Sequence, residues 1–188
     1  MDWISTVVGA VIAFVSSAGI VMLQMYINRK GSIDFYAKVV YSPASNGSTW
    51  GFNNNQSGII LTVPIWFEIQ NTSNVSRIIR DLNLVLVDKG KEIATMKQCN
   101  SMRKSALDES EFANAGSYSL SIGARDIKRI ECFFAFVKDS NISNFDEIKM
   151  CYYDEKDKEH KLSLGHVNGD WTIRQFEYTG EWIKLKEE

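Results

Sequence analysis

Between residues 3 and 27 the chain has no Asp, Glu, Lys, Arg or Pro, and the whole sequence holds only two prolines, two histidines and three cysteines. Each scarcity removes a class of function. Cys99, Cys132 and Cys151 form no C-x-x-C pair, and His160 and His166 are the only imidazoles, so no zinc-ligand cluster is present. Two of the cysteines sit in apolar runs, "IECFFAFV" and "IKMCYYD". They read as buried free thiols of a reducing compartment, with a Cys132–Cys151 disulfide as the alternative. A G-x-S-x-G elbow is lacking, and "VDKGKEI" has a single glycine where a phosphate-binding loop needs several. "DEKDKEH" (residues 154–160) has carboxylates but no glycine-bearing twelve-residue cation loop, and alternating signs there indicate a solvated hairpin tip. All 21 basic residues and 22 of the 23 acidic ones follow Ile27, so the chain beyond the helix carries a net charge of only −1. Such a balance offers no field for a phosphate backbone, and no nucleic-acid partner is expected. Nor is any catalytic residue, cofactor or metal site.

What is there begins with the uncharged stretch itself. Its 25 residues exceed the roughly 20 that a spanning helix needs at about 1.5 Å rise each. A core helix of a soluble domain would show a polar stripe, whereas the polar residues here are mostly Ser and Thr, which bond their own helix backbone. A cleaved signal peptide would carry a basic n-region, a shorter apolar run and an A-x-A site, and these are missing. The expectation is a single transmembrane helix over 3–27, with Trp3 and Tyr26 at headgroup level, a juxtamembrane linker over 28–32, and one folded domain over 33–188. Arg29 and Lys30, with Lys38 beyond, outweigh Asp2 before the helix, so the positive-inside rule puts that domain in the cytoplasm at the cell membrane. Two or three basic residues are too few for electrostatic lipid recognition. Ser5, Gly9, Ala13 and Ser17 recur every four residues and form a ridge of small side chains, a face for pairing with a second copy or with a partner's helix.

The rest reads as β. "SIDFYAKVVYS" (residues 32–42) is a first strand, and "PASNGSTWGFNNNQSG" (43–58) is a turn-rich loop. In "IILTVPIWFEIQ" (59–70), Ile65, Phe67 and Ile69 alternate with Trp66, Glu68 and Gln70, the period-two mark of a strand with one buried face. Pro64 predicts a bulge or an edge there. Trp66 suits a core aromatic by size and an outer face by parity. "RIIRDLNLVLVD" puts Leu82, Leu84 and Leu86 on one face, and "DKGK" turns it into "EIATMKQ" as a hairpin. "SALDESEFANAG" (105–116) reads as a connecting loop. "SYSLSI", "RDIKRIECFFAFVK", "EIKMCYYD" and "KLSLG" supply further strands, and the last residues read as a solvated charge run. Asn-x-Ser triplets at Asn46, Asn55, Asn71, Asn74 and Asn141 fit turn chemistry better than glycosylation. Seven or eight short strands with no later amphipathic helix predict a mainly β fold: an antiparallel, immunoglobulin-like β-sandwich, with a small barrel as the alternative.

The segments "VPIWFEIQNTSNVSRIIRDLNLVLVDKG", "IKRIECFFAFV" and "FDEIKMCYYDEKDK" resemble a family of small bacterial single-span membrane proteins that carry a β-sandwich behind an N-terminal helix. The resemblance implies that architecture and carries no activity. With no catalytic motif in view, the expected function is a membrane-anchored interaction module for a protein partner, and the alternative is an enzyme or small-ligand receptor whose site is assembled only in space.

Overall fold

A computed structural model describes residues 3–40, 50–56, 58–98, 118–142, 144–177 and 179–187. Asn46, Cys99 and segment 105–116 lie outside them, and of Ser5, Arg29 and Asn55 only the backbone is described. The chain opens with helix α1, Trp3–Arg29. Within it Thr6–Asn28 has a mean hydropathy of 2.3, and none of it is buried by the rest of the protein. Ser17 Oγ donates to the Ala13 carbonyl at 2.8 Å, the backbone bonding that makes hydroxyls acceptable on an apolar helix.

The helix is tied to the domain at its exit. Lys30 N–H donates to the Tyr26 and Ile27 carbonyls, closing the last turn. Gly31 follows at φ 141°, pressed so near the turn at 72–74 that a Cβ would stand 2.6 Å from Ser73 N. Only glycine fits. Asn74 N–H donates to the Asn28 carbonyl, Thr72 N–H to the Ser32 carbonyl, and Ser32 N–H to Thr72 Oγ1. Asn71 organises the turn from inside: its amide donates to the Val75 and Gly123 carbonyls, and its carbonyl accepts from Ser73 N–H and Oγ. Turn chemistry thus accounts for this Asn-x-Ser triplet.

Two antiparallel sheets follow. The first contains β1 (Ile33–Val39), β2 (Gly51–Asn55), β3 (Gly58–Asn71), β6 (Lys97–Gln98), β8 (Ile127–Val137), β11 (Arg174–Gln175) and β12 (Ile183–Lys184). The second contains β4 (Arg77–Asp88), β5 (Lys91–Thr95), β7 (Tyr118–Ile122), β9 (Phe145–Tyr153), β10 (Glu159–Gly169) and β13 (Lys186–Glu187). The core lies between them. Leu61, Val63, Ile65, Phe67 and Ile69 point inward from β3, Leu82, Leu84 and Leu86 from β4, and Ile148, Met150 and Tyr152 from β9. Burying this alternating apolar set is what drives the sheets together.

Four local outcomes refine or correct the sequence reading. Pro64 marks neither a bulge nor an edge: β3 pairs with β8 in unbroken register past it. On its other side β3 hands over from β2, whose pairing ends at Thr62, to β1, whose pairing starts at Ile65, so the missing N–H falls where no ladder needs it. Trp66 lies half-buried on the outer face under the Arg129 guanidinium, while Trp50 and Trp171 are the core tryptophans. In β4 a bulge at Arg80 and Asp81, with Asp81 at φ 52°, lets Ile79 and Leu82 both face inward. The charged C-terminus is not a free tail. Residues 183–184 pair with β1, residues 186–187 pair with β10, and Leu185 between them enters the core at 5% exposure, so one short segment crosses from sheet to sheet.

Candidate functional site

The same C-terminal segment builds a cleft on one lateral side of the sandwich. After β10 the chain turns at Trp171, which is buried at φ 59°, a conformation that a bulky residue holds only when packing fixes it. Packing does: Phe52 and Phe145 lie 5.1 and 5.6 Å from the indole, centroid to centroid. β11 then lies against β2, with Phe176 N–H donating to the Trp50 carbonyl. Gly51 permits this approach, since a Cβ at its φ of 148° would stand 2.4 Å from the Arg174 carbonyl oxygen. Phe176 packs against Trp50 in a tilted contact, 4.6 Å between ring centroids.

Between this strap, the end of β1 and the distal half of β10 is a cleft of about 580 Å³. Val39, Trp50, Ile148, Leu164, Phe176 and Ile183 supply its apolar surfaces, and His166, Asn168, Glu177 and Glu181 stand on its rim. The volume is in the range of ligand pockets, roughly 300–1,000 Å³. Arg174, also in the lining, is already committed. It bonds Asp170 at 2.7 Å and the Asn168 carbonyl, and its guanidinium stacks over Phe52 and Phe176. The Thr172 N–H, 3.0 Å away, together with that guanidinium holds the Asp170 carboxyl below the usual range. This is a structural ion pair that fastens the strap.

The residues singled out from sequence lie elsewhere. Gly9, Ala13 and Ser17 are exposed along α1, and a Cβ built on Gly9 meets nothing within 4 Å. Lys30 caps the helix, next to Arg29. The two described thiols are buried: Cys132 faces the core, Cys151 packs with Val85 and Val87 on the opposite face of the second sheet, and both are free. A whole sheet layer separates them, which rules out the alternative disulfide. Burial pushes the Cys132 thiol up, and burial with the Glu92 and Glu159 carboxylates pushes Cys151 up to about 12. The two histidines do not converge either. His166 is exposed at the cleft, while His160 stacks on Tyr152 between Asp154 and Glu187, each 3.1 Å away. Among the described residues no His, Cys, Asp and Glu group could hold a metal ion. The cleft was invisible in the sequence because its walls come from strands more than 100 residues apart. The one trace of it was the aromatic content of "DWTIRQF".

Two face-to-face antiparallel sheets around one apolar core define an immunoglobulin-like β-sandwich. The chain belongs to the YopI Ig-like domain family, whose model matches residues 31–165. No curated protein matches the chain. The match begins at Gly31, directly after α1, and stops within β10, so the strap and some of the cleft wall lie beyond it.

Proposed function

We propose that this protein is a single-span, membrane-anchored interaction module whose Ig-like sandwich serves a protein partner from the cytoplasmic face of the cell membrane. The carrying observation is that α1 leaves Val11, Ile12, Phe14, Val15, Ile20 and Met22 uncovered, while the sandwich completes its own core without them. An apolar helix about 40 Å long at ~1.5 Å per residue, not buried against any described part of the chain, suits a bilayer. Arg29, Lys30 and Lys38 favour a cytoplasmic domain. The resemblance to bacterial single-span proteins supports the same architecture. On α1 the small-residue ridge of Ser5, Gly9, Ala13 and Ser17 is the proposed pairing face.

Carbonate washing of membranes tests the anchor: the full-length chain stays in the pellet, and recovery in the supernatant, or an N-terminus mapped beyond Ile27, refutes it. Protease added to sealed cells leaves the sandwich intact if it is cytoplasmic and digests it if it is not. The alternative of an enzyme gains nothing from Asp170, whose carboxyl is held low, because its partners Thr172 and Arg174 fasten the strap.

A further inference from the structure

We infer that the lateral cleft takes an extended peptide segment of the partner, one that places an aliphatic or aromatic side chain inside and a lysine or arginine at the rim. The inference deepens the interaction-module reading and rests on it.

Three observations select this occupant. First, Val39, Leu164, Phe176 and Ile183 give the mixed lining an apolar part, which suits a hydrocarbon side chain. Second, the charge left at the rim is negative. Arg174 is neutralised by Asp170 and the Asn168 carbonyl, whereas Glu177 and Glu181 are exposed and, among the described residues, have no ion-pair partner. Such a rim attracts a basic segment and repels an anionic lipid headgroup or fatty acid.

Third, among the described residues the edge of β1 is left partly open. Leu185 N–H donates to the Phe35 carbonyl, which sets the odd-numbered residues of β1 toward the strap, and Ala37 pairs with Ile183. The strap then leaves the sheet. In that register Val39 would oppose Glu181, but among the described residues no ladder pair forms there, which directs the Val39 N–H and carbonyl toward the cleft. An extended backbone meets both groups, as in strand addition. The opposite wall cannot offer a regular edge. β10 shifts register between Ser163 and Gly165 and again between His166 and Gly169, irregularities that disfavour pairing.

The test uses the full-length protein in detergent with three labelled nine-residue peptides: alternating Leu and Lys, alternating Leu and Glu, and alternating Ser and Lys. Fluorescence anisotropy is expected to show binding of the Leu/Lys peptide at least tenfold tighter than either of the others. Glu177→Lys with Glu181→Lys lowers Leu/Lys affinity at least tenfold and raises Leu/Glu affinity. Ile183→Ser lowers it too, while Lys91→Glu on the far sheet edge does not. Equal binding of Ser/Lys and Leu/Lys, or indifference to the charge reversal, overturns the inference. A photo-crosslinker at Val167, on the cleft, and one at Ile78, on β4, then separate the two readings in cells. A protein adduct from Ile78 alone refutes the cleft and spares the module. No adduct from either position refutes both.

Discussion

Leu185 offers the sharpest test of the sheet-to-sheet crossing. In the sequence it stands in "IKLKEE", where nothing distinguishes it from a solvated tail residue. In the fold it is 5% exposed and packs in the main core, whereas Ile183, two residues earlier, is 51% exposed. Truncating a buried leucine to alanine costs about 2–5 kcal/mol, transfer and cavity terms together. Leu185 sits at the margin of the core, where the short strap relaxes into some of the space, so the lower end, about 2–3 kcal/mol, applies. Ile183→Ala at an exposed position changes stability by about 0.5 kcal/mol or less. The assay is urea unfolding followed by tryptophan fluorescence, to which buried Trp50 and Trp171 contribute. With a slope of about 2 kcal/mol per molar urea, Leu185→Ala moves the midpoint down by roughly 1–1.5 M and Ile183→Ala by about 0.2 M. The slope itself should stay unchanged, because the unfolded chain exposes the same surface. If both variants shift the midpoint equally, the C-terminus is a tail and the crossing is wrong.

Gly51→Ala forces a Cβ within 2.4 Å of the Arg174 carbonyl oxygen. It should detach β11 and cost about 2 kcal/mol or more by strain, read as a lowered urea midpoint together with higher accessibility of Phe176 to hydrogen exchange. At Asp154 burial opposes the charge, but the His160 ring and the Lys158 and Lys156 N–H groups outweigh it and hold the carboxyl below the usual range. A carboxyl depressed in the fold contributes stability above its unfolded value, about 3.9, and loses it as pH falls through the folded value. Asp154→Asn should therefore flatten the fall of the urea midpoint as the pH drops below about 4, and an unchanged slope there counts against the assignment. On α1, Gly9→Leu and Ala13→Leu should weaken association in a membrane two-hybrid assay while Val11→Leu does not, and equal signals from all three reject the ridge.

Some of this was legible along the chain. Uncharged residues 3–27 suffice to specify an exposed apolar helix, because transfer free energy sums locally whatever surrounds it. Period-two alternation likewise located the buried faces of β3 and β4, and "DKGK" located their neighbouring hairpin, where Lys89 and Gly90 take φ 49° and 78°. The apolar neighbours of Cys132 and Cys151 announced their burial. Pairing was beyond that reach. Where β3 changes partners decides whether Pro64 is a fault or a fit, and which strand runs out of partners decides where a cleft opens. Leu185 is core only because β1 and β10 bring two sheets to either side of it, and Arg174 is spent only because Asp170 folds back to meet it. These depend on contacts between residues far apart in sequence, whose closure free energy no local pattern records. The period of a strand is written in its own residues, but its edges, its crossings and the hollow between two sheets exist only once the neighbours have been chosen.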